Sequence, residues 1–369
     1  MRRGCMGPAL VVLVAAAHGC GAGVGAKSDG SPVGAGDTAG DAGPAESGPS
    51  TPDASVDTSS GGAGASADAL TGAPADAAPV SVDAPPEASA GEVPSACAPC
   101  TDYAPAAESG RVTAAALDQL SGVAASRRNP GVLFVHNDHS TPEFWALGQD
   151  GALRASFTYS GATVRDVEDI AVAACPSGTC VFLADIGGNL AARPDYTIAR
   201  VPEPVVALGG APTSVALAAD RLVFTYPDAA QHNAESLMID PRSGTLYVID
   251  KVAAGAHSTV YRLAATFGGA TVIATKVVEL PVPMSGDQPA TAADAHPCGT
   301  GFILRTYNTA YEFRIAATAP FEDAFRAPPV AVPVAQERQG EGIAYQPDGR
   351  GFFTNSEGAM QPINHTGCR

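Results

Sequence analysis

The chain has 369 residues and a net charge of −17, but its two parts differ too much to be read as a uniform string of domains. Residues 21–110 carry thirteen acidic residues, one base (Lys27) and one aromatic (Tyr103) in a background of Ala, Gly, Pro and Ser. They hold −12 of the charge and too little apolar surface for a core, which predicts a disordered tether. Residues 111–369 hold 21 of the 22 aromatics and are long enough for one well-buried domain. A pI near 4.6 excludes the basic face that nucleic acid rewards and any attraction to anionic lipid headgroups.

At the start of the chain, Arg2 and Arg3 precede a short apolar run, residues 8–17, that ends in small residues. This is the layout of a secretory signal over residues 1–20, and it is too short to span a bilayer. Ala17-His18-Gly19-Cys20 is similar to a bacterial lipoprotein signal, with Cys20 as the lipidated residue. The expected localisation is therefore the cell envelope or the extracellular medium, with membrane attachment only through an N-terminal lipid. An exported chain favours disulfides. Cys175 and Cys180 can close across one tight turn, and Cys97 or Cys100 can pair with Cys298 or Cys368 to tie the start of the domain to its end.

From residue 120 onward one unit recurs: a short strand, a Pro/Gly turn, then a more apolar strand. The copies are LSGVAAS-RRNPG-VLFVHND from Leu120, VEDIAVA-ACPSGT-CVFLADIGGN from Val167 and AESLMID-PRSG-TLYVIDK from Ala234. They continue with AADAHPC-GT-GFILRTYN from Ala292 and GEGIAYQ-PDGR-GFFTNSEG from Gly340. Their turn prolines, Pro130, Pro176, Pro241, Pro297 and Pro347, are separated by 46, 65, 56 and 50 residues. Two further strand-like runs follow each of the first four hairpins. Four strands per repeat predicts an all-β propeller of five four-stranded blades, residues 111–369; a sixth blade would need an unrecognised repeat. The last blade is one strand short, and Arg111-Val-Thr-Ala-Ala-Ala-Leu117 is expected to supply it and close the ring. A monomer is expected.

NPGVLFVHND, VEDIAVA, FLADIGGN with the following VPEP, AESLMIDPRSGTLYVIDK, RTYN and GEGIAYQPDGRGFFTNSEG resemble a widespread group of uncharacterised, secreted bacterial propeller proteins. The layout is more distantly similar to calcium-containing hydrolases of the gluconolactonase and paraoxonase type and to phytase-like propellers. That wider resemblance implies an architecture and inner-strand carboxylates.

In such blades the start of the inner strand and the end of the second strand share one face of the ring. Aligning the copies puts Ser121, Glu168, Glu235, Ala293 and Glu341 in one column and Gly122, Asp169, Ser236, Asp294 and Gly342 in the next. His136-Asn137-Asp138, Asp185, Asp250-Lys251, Thr306 and Ser356-Glu357 form the rim at the second-strand exits. Carboxylates crowded in this way need a cation, protein bases (Arg165, Lys251 and Arg305) or a retained proton. Oxygen ligands of this kind suit calcium, for which Glu168, Asp169, Glu235, Asp294 and Glu341 are the candidate ligands. Asn137, Asp138, Asp185 and Asn233 are candidate ligand-binding groups. The function expected is binding of an envelope ligand or protein partner in an acidic funnel, through calcium. The alternative is a calcium-dependent hydrolase of esters, lactones or phosphoesters, with His136 or His232 moving the proton.

Overall fold

The computed structural model describes residues 97, 99–188, 193–253, 255–283 and 289–369. The export signal, Cys20 and most of the stretch expected to be a tether lie outside them. The described residues form twenty-two strands and one short 3-10 helix, Phe321–Arg326. Among them no helix is long and apolar enough to cross a membrane.

The strands form five small sheets in a ring, a five-bladed β-propeller. The inner strands are Leu120–Ala125, Val167–Cys175, Ala234–Ile239, Ala290–Ala295 and Gly340–Tyr345. Each pairs antiparallel with the second strand of its hairpin: Val132–Asn137, Gly178–Asp185, Leu246–Asp250, Gly301–Thr306 and Gly351–Ser356. A buried apolar cluster sits between each blade and the next. Blades stacked in this way bury both faces, which is why the inner and second strands read as nearly continuous apolar runs rather than alternating ones.

Two details depart from the sequence reading. The closing strand of the last blade is Ala107–Arg111, paired antiparallel with Pro362–Gly367, and not residues 111–117. This outer-edge strand is almost wholly exposed, so its residues carry no apolar alternation to betray it. Val112 and Leu117, which suggested a strand, are instead fully buried as the chain turns toward the first inner strand. The folded unit therefore takes in the end of the stretch read as a tether. Secondly, the first two blades gain a fifth strand each. Thr213–Ala218 runs parallel to Leu153–Ser160, and Val272–Ile273 runs parallel to Asp220–Thr225. Both come from later connections and cover an outer edge that would otherwise be unpaired.

The cysteines pair as Cys97–Cys298, Cys100–Cys368 and Cys175–Cys180. The first two bind the start of the domain to the fourth hairpin turn and to the last strand; the third closes the second hairpin. Because loop-closure entropy grows with loop length, the bonds should not be equivalent. Replacing Cys100 and Cys368, 268 residues apart, by Ser should cost about 2–5 kcal/mol in urea denaturation. The same change at Cys175 and Cys180, only 5 apart, should cost clearly less; equal losses would contradict this account.

Candidate functional site

Every inner strand slips register just after it begins. The slips fall between Val167 and Asp169, Ala234 and Ser236, Ala290 and Ala292, Gly340 and Gly342, and over the longer interval Leu120 to Val123. A bulge leaves one residue unpaired and re-aims its side chain. The residues so placed are Glu168, Glu235, Thr291 and Glu341, with Ser121 and Gly122 in the first blade. The expected column thus holds at its glutamates and at Ser121, but its fourth member is Thr291 and not Ala293. Asp294 lies deeper in its strand than Asp169 does in its own. A count back from the turn prolines would have shown this, since Glu235, Thr291 and Glu341 each stand six residues before Pro241, Pro297 and Pro347.

The three glutamates share one mouth of the ring. Glu168 and Glu341 each feel the charge of Glu235, and all three feel Lys251. Lys251 Nζ lies 2.9 Å from Glu235 Oε1 and 5.2 Å from the centre of the Tyr307 ring. Asn233 Nδ2 donates to Glu235 (3.3 Å), and Gln339 Nε2 donates to Glu341 (2.8 Å) and also to Glu357. Burial pushes Glu235 up to about 7 against the pull of Lys251. Burial, and next the charge of Glu235, push Glu341 up to about 8. Glu168 is raised well above the usual range by burial, then by Glu235, Asp138 and Asp166. The mouth is an acidic arc over three blades. In the other two blades the equivalent residues are hydroxyls that tie strands together: Ser121 Oγ donates to Glu168 O (3.4 Å) and Thr291 Oγ1 to Gly340 O (2.9 Å).

Asp166, which the repeat alignment passed over, joins Asp138 and Glu168. One carboxylate oxygen from each lies within 4.8 Å of the other two. The pair Asp166-Val167-Glu168 was visible in the sequence, but Asp166 precedes the strand and so fell outside the columns. The backbone beside them, Gly187 and Gly188, is braced from two sides. Arg193 donates to Gly187 O (2.8 Å) and Asp185 O (3.0 Å), and Asn233 Oδ1 accepts the Gly188 N–H (2.7 Å).

No protein-family model and no curated protein matches this chain. Its site therefore rests on its own geometry, and that geometry removes several candidates. Asp169 accepts the N–H of Ile170 and of Leu237 in the next blade (2.8 Å each), and Asp294 accepts that of Tyr345 in the next blade (2.8 Å). Both are staples between inner strands rather than ligands in the mouth. Asp185 is a brace as well, accepting the Asp166 N–H (2.9 Å) and pairing with buried Arg193 (2.9 Å). Asn137 is not removed in this way: its Nδ2 donates to Ala116 O (2.7 Å) and the Asp118 carboxylate (3.4 Å), but its Oδ1 has no hydrogen-bond partner among the described residues.

His136 is fully buried, and Gly122 N–H donates to its Nε2 (3.1 Å). Nδ1 must then carry the proton, which it gives to Asn137 O (2.9 Å). Burial holds the ring down to about 4, so it is neutral, locked by backbone and unable to shuttle protons as the hydrolase reading required. His232 stacks on Tyr226 (4.0 Å) with Nε2 on Asp228 (3.0 Å) and Nδ1 3.6 Å from Asp250. It is a rim fixture committed to two aspartates. Of the three bases expected to offset the acids, only Lys251 enters the mouth. Arg165 pairs with Asp195 (3.0 Å), and Arg305 is wholly buried against Glu337 (2.5 Å).

Proposed function

We propose that this chain is an exported, lipid-anchored propeller that binds positively charged ligands at the acidic mouth of its ring. The observation that carries this reading is the convergence of Glu168, Glu235 and Glu341, from three separate blades, with Asp138 and Asp166 around Lys251. Low-dielectric walls focus such a field and raise the local concentration of cations. Export is supported by the signal-like residues 1–20 and by three disulfides, which persist in oxidising compartments.

The test uses the full chain, with spermidine and glucosamine as cationic probes and N-acetylglucosamine as the uncharged control. At saturation the cationic probes should raise the melting midpoint by about 2–4 °C, following mass action. The control should leave it unchanged, and Glu341→Gln, which has no proton to release when a cation arrives, should at least halve the gain. Equal shifts for charged and uncharged probes, or for wild type and Glu341→Gln, would remove the mouth as the binding site.

A further inference from the structure

One corner of the mouth holds carboxylate oxygens that no hydrogen bond among the described residues answers. Asp166 and Glu168 are 5% and 4% exposed, yet Asp166 Oδ2 and Glu168 Oε1 have no hydrogen-bond partner among the described residues. Buried carboxylate oxygens are nearly always bonded, so two unbonded oxygens side by side require a partner. The neighbouring bases are committed elsewhere: Lys251 to Glu235, and Arg193 to Asp185 and three backbone carbonyls.

The two oxygens also pack against one glycine. A Cβ built on Gly187 would lie 2.1 Å from Glu168 Oε1 and 2.3 Å from Asp166 Oδ2. Only glycine lets the two carboxylates close up to that backbone, and its φ is not in the left-handed region, so conformation alone does not demand it. Asp138, half-buried on the open side, brings a third carboxylate within 4.8 Å. By contrast Cys97, His296 and Cys298 also cluster, but the two cysteines are bonded to each other and offer no thiolate.

We propose that Asp138, Asp166 and Glu168 bind one divalent cation, calcium foremost, beside Gly187. All three donors are carboxylates, the set that selects hard, oxygen-seeking cations over zinc or copper. Calcium accepts six to eight oxygens at flexible geometry, so three carboxylates on one side and water on the open side suit it better than magnesium, which demands a near-ideal octahedron. The inference rests on the reading of the mouth as a site for positive charge, and it names the ion and the corner. The ligand set differs from the one the repeat alignment suggested: it comes from the first blade's exit, the connection into the second blade and that blade's inner strand. Glu235 and Glu341 lie outside this ligand set.

Titration calorimetry of the full chain, stripped with a chelator and desalted, tests this with calcium chloride and magnesium chloride alone as probes. One calcium should bind per chain, at least tenfold more tightly than magnesium. Saturating calcium should raise the melting midpoint by about 5 °C. Asp138→Asn, on the open side where folding is least at risk, should weaken calcium at least tenfold. Gly187→Ala, which keeps every carboxylate, should weaken it at least as much, while Glu341→Gln should leave it within about threefold. Absence of calcium binding by the folded wild type overturns the proposal, as does binding that Asp138→Asn and Gly187→Ala both leave unchanged. Either result leaves the amine-probe experiment standing on its own, so failure of the metal site and failure of the mouth are told apart.

Discussion

Replacing Glu337 by Ala should destabilise the propeller by about 3–5 kcal/mol, the range for breaking one partner out of a buried ion pair. The side chains of Arg305 and Glu337 are 0% and 1% exposed and meet at 2.5 Å. Glu337 also accepts Thr354 Oγ1 (2.8 Å) and Asn364 Nδ2 (2.7 Å), joining the second and third strands of the last blade to the fourth blade. Among the described residues Arg305 Nε and Nη1 already lack hydrogen-bond partners, so losing Glu337 would leave a buried guanidinium with only the carbonyl of Tyr307 (3.3 Å) there. Urea denaturation measures the loss, and Arg305→Leu added to Glu337→Ala should restore part of it by removing the stranded charge. A loss below about 1 kcal/mol would mean that water reaches the guanidinium. The pair matters to the mouth because Arg305 lies flat against Gly340, the residue before Glu341: a Cβ there would fall within 2.5 Å of the guanidinium carbon.

In chelator, stability should fall as pH rises from about 5 to about 8, and Glu341→Gln should flatten that fall. Glu341 is raised from 4.5 to about 8, by burial first and the charge of Glu235 second, against the Gln339 amide and Lys251, with Glu357 adding a smaller push. Between those two values the folded state holds a proton that the unfolded chain has released. The folded state therefore binds more protons, and the slope of unfolding free energy with pH is negative. The contribution is complete below pH 4.5 and lost as pH passes through about 8. Its size is on the order of 3–5 kcal/mol, and Glu235, raised to about 7, adds in the same direction. Melting curves at pH 5, 6, 7 and 8 for wild type and Glu341→Gln check it. Parallel curves for the two proteins would show that Glu341 is ionised across the whole range.

The propeller was legible because its signals are local. Each hairpin announces itself through two apolar runs around a Pro/Gly turn, and five such hairpins, the first four each followed by two further strands, leave few other architectures. The end of each second strand was legible for the same reason: Asn137, Asp185, Asp250, Thr306 and Ser356 do stand opposite the residues that precede the bulges. The closing strand was not, because an exposed outer strand has no face to bury and so no pattern to read.

Within the site, residue type along the chain settled which groups are acidic and which blades carry them, since Glu168, Glu235 and Glu341 recur at one place in a repeat. Their employment is a matter of three-dimensional contact. Asp169 and Glu168 are neighbours in sequence, yet one staples the next blade through a backbone N–H and the other is turned toward Asp166 and Asp138 with a free oxygen. His136 looked like a proton carrier until its two nitrogens were seen to be spent on Gly122 and Asn137. A strand's apolar pattern depends only on which of its faces is buried, so composition and spacing carry it. Whether a polar atom is bonded or left over depends on partners contributed by other blades, tens to hundreds of residues away, and only closure of the ring brings those together.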